Sequence, residues 1–331
     1  MLKTLRNILI IVVLMAVVLF SLLGYKVYLA MQYVTPQTVE LKVNKGANVK
    51  WISQELQNKK VIQDKYVFEY YLRYLGKENS LKAGEYVFPS KLNLDTLIDM
   101  MVKGKIKRYK ITIPEGYNIS QTCALFAKKS LMDIEACLTL AKDVLFLDEN
   151  ENIKTLEGYL FPNTYYYDKD VLPKEFFQQM IILFYEKVDE AKRKAAKEKG
   201  FTLHELVTLA SIIEKETGAK EERPLIAGVF LNRLEKGMLL QSDPTVIYGV
   251  EAFDGNLRRR DLEKDTPYNT YTRKGLPIGP ICSPGLASIK AVLKPITTDY
   301  LYFVAKGDGS HYFSKTLKEH NQAVQKYQLK K

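Results

Sequence analysis

The first hydrophobic pattern in the chain is an unbroken one. From Ile8 to Gly24 every residue is apolar except Ser21, and apolar residues resume from Val27 to Met31. A bilayer crossing needs ~20 such residues in a helix, so this stretch predicts a span over residues 8–28. A signal peptide would have a shorter apolar core followed by a small-x-small cleavage site, and none follows Gly24. Lys3 and Arg6 precede the span, which sets residues 1–7 in the cytoplasm and the rest of the chain outside it. Residues 29–38 read as a linker.

Beyond the linker the periodicity changes. Val39-Glu-Leu-Lys-Val43 alternates as a strand. Asn48 opens a helical pattern from Val49 to Leu56, and Asp64 opens another from Tyr66 to Leu75. Gly84 to Pro89 returns as a strand, and an amphipathic helix follows from Leu94 to Val102. Strand, helix, helix, strand within a short stretch predicts a compact module over residues 39–110. Parts of it recur. Val43 to Val49 resembles Ile113 to Ile119, and Gly84 to Pro89 resembles Gly158 to Pro162, each pair sharing a turn glycine with a capping Asn or an aromatic-Pro strand end. Residues 111–331 form the second predicted domain. Its helices run from Phe176 to Lys199, from Leu203 to Thr217, from Glu221 to Glu235 and from Leu317 onward. A hairpin is expected around Gly307 and Gly309.

Composition alters this picture only slightly. The net charge is +11, with 47% hydrophobic residues. The basic residues are spread along the chain and are not interleaved with aromatics, so nucleic acid is not expected as a partner. The three cysteines, Cys123, Cys137 and Cys282, exclude a disulfide framework and a zinc site of the usual form. Structural thiols are expected, with one bridge, Cys123 to Cys137, left open. His204-Glu205 does not begin a His-Glu-x-x-His motif because residue 208 is Thr, and His311 and His320 read as structural. No metal or cofactor is expected. Chemistry outside the membrane also disfavours kinases and dehydrogenases, whose nucleotides are scarce there.

The candidate chemistry lies at the end of one helix, Ile212-Ile-Glu214-Lys-Glu216-Thr217. At about 100° per residue, Glu214 and Glu216 point about 200° apart and cannot line one cleft together. Glu216 lies roughly 60° from the centre of the apolar face and Glu214 roughly 100° from it, so Glu216 is the more buried candidate. It also sits in the last turn before Gly218, where the helix dipole disfavours a carboxylate. Both effects raise a carboxyl pKa, which suits a general acid.

Three other segments accompany it: Gln241-Ser-Asp243-Pro-Thr-Val-Ile-Tyr248-Gly249, Tyr268-Asn269-Thr-Tyr271 and Glu157-Gly-Tyr-Leu-Phe-Pro162. With the Glu-Lys-Glu stretch, they resemble the YceG-like endolytic murein transglycosylase family over essentially the whole chain. The resemblance implies an α+β protein with one N-terminal transmembrane helix, a LysM-like βααβ module and a mixed α/β catalytic domain. It places the catalytic role on Glu216, the second Glu of the motif. The implied activity is that of a lyase that cuts the MurNAc-β-1,4-GlcNAc bond of nascent peptidoglycan. It would leave 1,6-anhydro ends and terminate strand elongation beside penicillin-binding synthases. The implied location is the bacterial inner (cytoplasmic) membrane, with the catalytic domain in the periplasm; a Gram-positive cell is the alternative left open. Gln241, Asp243, Tyr248, Asn269 and Tyr271 are the expected substrate contacts. Asp243 is also the second carboxyl that a lysozyme-type hydrolase would need. A non-catalytic glycan-binding scaffold is the remaining alternative.

Overall fold

The computed structural model describes residues 2–147, 153–251 and 253–329. They fall into two compact units, one comprising residues up to Tyr109 with Tyr166–Asp170, the other residues 110–165 and 171–331.

The first unit begins with α1 (Leu2–Gln32), whose stretch from Leu5 to Gln32 is long and apolar enough to cross a membrane. Helix continues to Gln32, past the expected start of the linker. After it, β1 (Val39–Val43) pairs antiparallel with β2 (Gly84–Phe88), Val39 opposite Phe88 and Val43 opposite Gly84. Between them lie α2 (Val49–Asn58) and α3 (Lys65–Tyr74), and α4 (Leu94–Lys103) follows. Local chemistry sets these boundaries. Asn48, Asp64 and Asn93 each accept a backbone N–H in the first turn of their helices, and Gly104 ends α4 in the left-handed region at φ 68°. Alternate residues of β1, namely Val39, Leu41 and Val43, turn inward onto Leu56, Phe68, Leu72 and Phe88. The strand-helix-helix-strand order matches the periodic pattern read from the sequence.

β3 (Tyr109–Thr112) pairs with β4 (Thr164–Tyr167), and the second unit holds residues 110–112 of the one and 164–165 of the other. Between these strands lie α5 (Ile119–Lys128) and α6 (Ile134–Leu140), so a second strand-helix-helix-strand segment exists. Asn118 caps α5 as Asn48 caps α2, and Gly116 and Gly46 both turn at positive φ. The repeat breaks at its other end. Gly158 to Pro162 is not a strand: Gly158 sits in a turn at φ 85°, and β4 begins after Pro162. Cys123 of α5 and Cys137 of α6 form a disulfide, so only Cys282 is a free thiol, and it is buried.

The expected long helix from Phe176 is two helices, α7 (Pro173–Lys187) and α8 (Glu190–Glu198). Asp189 leaves helical geometry to cap α8 by accepting from Lys192 N–H, and a local cap of this kind overrides helix propensity. The unit is built around α9 (Leu203–Glu216), started by a Thr202–Glu205 capping box. Every residue from Leu206 to Ile213 is buried, so α9 is a central helix rather than one with a single apolar stripe. It ends at extended Thr217, and Gly218 does not supply a left-handed stop. Packed against α9 are α8, α10 (Arg223–Glu235), α11 (Asp243–Gly249) and α13 (Leu286–Leu293). The sequence pattern did not reveal α11, α12 (Arg259–Glu263) or α13. They are short and lie among Gly, Pro and Asn residues that read as loop. A hairpin of β5 (Tyr302–Ala305) and β6 (His311–Ser314) and the helix α14 (Leu317–Val324) close the unit.

Candidate active site

The two glutamates at the end of α9 have separate fates. Glu214 is 5% exposed and Arg223 is 4% exposed, with Arg223 Nη2 donating to Glu214 Oε1 at 2.7 Å. Gly285 N–H and Ser288 Oγ–H donate to the other oxygen at 2.9 and 2.7 Å. This carboxylate is fully occupied as a buried anchor between α9, α10 and the start of α13. The helical projection made Glu216 the more buried of the pair; both carboxyl groups are largely withdrawn from solvent, and what sets Glu214 apart is its partners, which are remote in sequence and which a single-helix projection does not contain.

Glu216 opens onto a cleft of about 510 Å³. Ser242 Oγ–H donates to its Oε1. Burial pushes its pKa up to about 7 and the Asp243 charge adds to the rise, while the Ser242 hydrogen bond and the Arg233 charge oppose it. Arg233 is itself buried and committed, donating to Leu301 O and Leu240 O at 2.6 Å each, with Tyr302 stacked over it at 5.3 Å. It lends positive potential to the site without a direct bond to Glu216 among the described contacts. The result is a carboxyl group that exchanges its proton near neutrality.

Of the expected contacts, Gln241, Asp243 and Tyr271 line this cleft with Glu216. Gln241 holds a left-handed backbone, φ 48°, which a non-glycine residue adopts at a cost. Its strain is supported from Tyr268–Tyr271: Thr270 O accepts Gln241 N–H, and Thr270 Oγ1 accepts Ser242 N–H. Asp243 opens α11, and its Oδ1 accepts from Tyr271 O–H at 2.5 Å.

Tyr248 and Asn269 do not line the cleft. Asn269 is buried; its Nδ2 donates to the carbonyls of Asp261, Leu262 and Lys264, and its Oδ1 accepts from Tyr271 N–H. Its amide holds the loop together and is spent in doing so. Tyr248 O–H donates to Glu157 Oε2 at 2.8 Å, and its ring meets Tyr268 edge-on.

Glu157 is a residue to which the sequence assigned no role. It is 3% exposed, and both its oxygens also accept Ile119 N–H at the start of α5. Burial pushes its pKa up to about 7 against the pull of Ile119 N–H and Tyr248 O–H. It ties the far end of α11 in place, while the near end carries Ser242 and Asp243. Also missed were Ser242, Arg233, Tyr302 and His320, all at the cleft or touching Glu216. Only Ser242 had a signal, its place between Gln241 and Asp243. His311 borders the cleft as well, with Nδ1 2.6 Å from Glu222 Oε2. No group of three or more metal-ligating side chains occurs among the described residues.

The sequence profile of the YceG-like family matches residues 41–326. The chain belongs to the YceG-like family. A relative from Bacillus subtilis named endolytic murein transglycosylase is 38% identical over 88% of this chain and 85% of its own length. A Streptococcus pneumoniae protein of the same name is 29% identical over 93% of this chain, and the match spans 63% of that longer protein. The crystal structure of a YceG-like protein from Listeria monocytogenes, 35% identical, covers 87% of this chain and 99% of that one with a TM-score of 0.60. The geometry gives each of the long motifs around Glu216 a physical task in this YceG-like chain. Gln241–Gly249 supplies the hydroxyl and the strained wall beside Glu216, Tyr268–Tyr271 supports that wall, and Glu157–Pro162 holds the back of α11.

Proposed function

We propose that this protein is an endolytic peptidoglycan lytic transglycosylase with Glu216 as its catalytic acid and base. The observation that carries the reading is a carboxyl group held near neutral pKa on the wall of an open, polar cleft. Protonated Glu216 donates to the glycosidic oxygen of a MurNAc-β-1,4-GlcNAc bond as the anomeric C–O bond breaks. The 6-hydroxyl oxygen of the same MurNAc then bonds to the anomeric carbon, and its proton passes to the Glu216 carboxylate. The product is a 1,6-anhydro end, and the acid is restored without water. An intramolecular nucleophile has the usual proximity advantage. Ser242 orients the carboxyl group, and Arg233 limits how far its pKa rises. Gln241, Asp243 and Tyr271 are the contacts proposed for the sugar.

A second reading has one observation behind it. Asp243 lines the same cleft, and two carboxyl groups in one cleft suit a hydrolase that uses water. Digestion of purified peptidoglycan by the full chain in detergent, with mass analysis of the muropeptides, separates the readings. Anhydro ends support the transglycosylase, reducing ends the hydrolase, and no new ends a binding scaffold.

The same reading extends to the rest of the chain. The α1 helix anchors the protein in the cytoplasmic membrane with its N-terminus inside, and the chemistry occurs outside. The strand-helix-helix-strand module acts as a LysM-like holder of glycan. Cutting newly made strands beside penicillin-binding synthases would end their elongation.

A further inference from the structure

We infer that one face of α3 lies on the outer leaflet of the membrane that α1 crosses, so that the first module is seated in the lipid headgroups rather than tethered above them. The inference rests on the proposed membrane span and adds a second contact to it.

The face is unusual for a water-soluble surface. Tyr66, Tyr70 and Tyr74 follow one another at helical spacing and are 58%, 67% and 84% exposed. Lys65 Nζ lies 5.0 Å from the centre of the Tyr66 ring, and the Arg73 guanidinium 5.7 Å from that of Tyr70. Lys59 and Lys60 stand just before the helix. Tyrosines flanked by lysine and arginine are the residues that favour the interface between hydrocarbon and water. Arg73 is paired with Glu78 at 3.0 Å and Lys65 donates to Gln54 Oε1 at 2.7 Å, so the charge that suits anionic headgroups is that of Lys59 and Lys60.

Depth follows from α1. A hydrocarbon core of about 30 Å takes ~20 helical residues, which, counted from Ile8 at the start of the span read from the sequence, ends near Val27. The residues just beyond are at headgroup level. It is around this end that α1 meets α3: Leu23 just inside it, Val27 at it and Met31 beyond it border a largely apolar cavity of about 440 Å³ together with Tyr66, Val67 and Tyr70. Lys26 Nζ also pairs with Asp64, the cap of α3, at 2.7 Å. The start of α3 is thereby held at the height where α1 leaves the membrane, and its exposed tyrosines are held with it. A lipid surface covers such a face without any further protein partner.

Depth-dependent fluorescence quenching tests this in the full chain, reconstituted in vesicles of equal parts phosphatidylcholine and phosphatidylglycerol. Trp51, the chain's only tryptophan, is changed to Phe, and either Tyr70→Trp or Phe20→Trp is added. Lipids brominated near the headgroup end of the acyl chains should quench the indole of the Tyr70→Trp variant on the order of twofold, as for an aromatic ring at the interface. Lipids brominated deep in the chain should quench the indole of the Phe20→Trp variant. If the Phe20→Trp indole is quenched while the Tyr70→Trp indole is untouched by lipid and fully open to aqueous acrylamide, the α3 inference is overturned and the span stands. If neither indole is quenched, the span itself fails and the inference with it. A second measurement needs no substitution. Lactoperoxidase iodination of the native chain in vesicles should spare Tyr66, Tyr70 and Tyr74 and label Tyr166 and Tyr312, which are also exposed. Equal labelling of both sets would likewise overturn it.

Discussion

A buried carboxyl group with a raised pKa weakens the fold that holds it, and the cost can be measured. Glu216 has its pKa raised from 4.5 to about 7, so the folded protein holds a proton between those values that the unfolded chain has released. Where the folded state binds more protons, stability falls as pH rises. The loss therefore begins near the unfolded pKa and is complete once pH passes the folded one. At 1.36 kcal/mol per unit the full shift is about 3 kcal/mol, and solvent on the open side of the cleft reduces this to about 2 kcal/mol. Glu157 titrates over the same window, also reaching about 7, and contributes a similar slope. Replacing Glu216 with Gln removes one of the two slopes. The amide oxygen still accepts from Ser242, and Arg233 keeps both of its carbonyl partners.

The expected result is a variant that is dead and more stable. In urea titrations read by pulse proteolysis, Glu216→Gln should match the parent near about pH 5 and exceed it by about 2 kcal/mol near about pH 8. Anhydro-product formation should be abolished at both. Equal stability near pH 8 would mean that the Glu216 carboxyl ionises as freely folded as unfolded. The argument that makes it the acid would then be wrong. A variant that retains full activity would refute the assignment directly.

Three further outcomes follow from the same geometry. The rate of anhydro-end formation at saturating substrate should fall as pH rises through about 7, because ionised Glu216 cannot donate; a rate that is flat from mildly acidic to alkaline pH would count against it. Arg223→Met should cost about 3 to 5 kcal/mol in the same urea titration by leaving the buried Glu214 carboxylate without its cation, and a loss under about 1 kcal/mol would show the pair to be dispensable. Reducing the Cys123–Cys137 bridge, whose cysteines are 14 residues apart, should destabilise the second unit by about 3 kcal/mol, read as a lower urea midpoint with reductant than without.

What could be read from the chain alone was whatever is encoded within a few residues. Asn48, Asp64 and Asn118 announce their helices because a cap acts over three positions. The alternation of Val39 to Val43 announces β1 because one face is buried. The same locality explains the failures. Asp189 interrupts what looks like one long helix, since a cap outweighs the apolar periodicity on either side. The short helices α11 and α13 owe their existence to packing against α9 and carry too few turns to show a period. Glu157 is invisible as a buried acid because its partners, Ile119 and Tyr248, are 38 and 91 residues away.

The pair Glu214 and Glu216 shows where local reasoning stops being sufficient. Helical geometry separates them correctly, and the site depends on that separation. It cannot say which one keeps a labile proton, because burial alone does not decide that. Glu214 is deeply buried, yet it has a guanidinium, a hydroxyl and a backbone N–H to hold its charge. Glu216 is also buried, but it has one hydroxyl bonded to it, a cation committed elsewhere and Asp243 acting against its charge. The carboxyl we propose as the acid is the one whose surroundings fail to stabilise the anion. Those surroundings are assembled by α10, the strained turn at Gln241 and the hairpin that carries Tyr302. A change that delivered a free cation to Glu216, such as Gln241→Arg, should therefore silence the enzyme as effectively as removing the acid, while leaving the fold more stable at alkaline pH. If that variant kept its activity, supply of a proton near neutrality would not be what the cleft is built to provide.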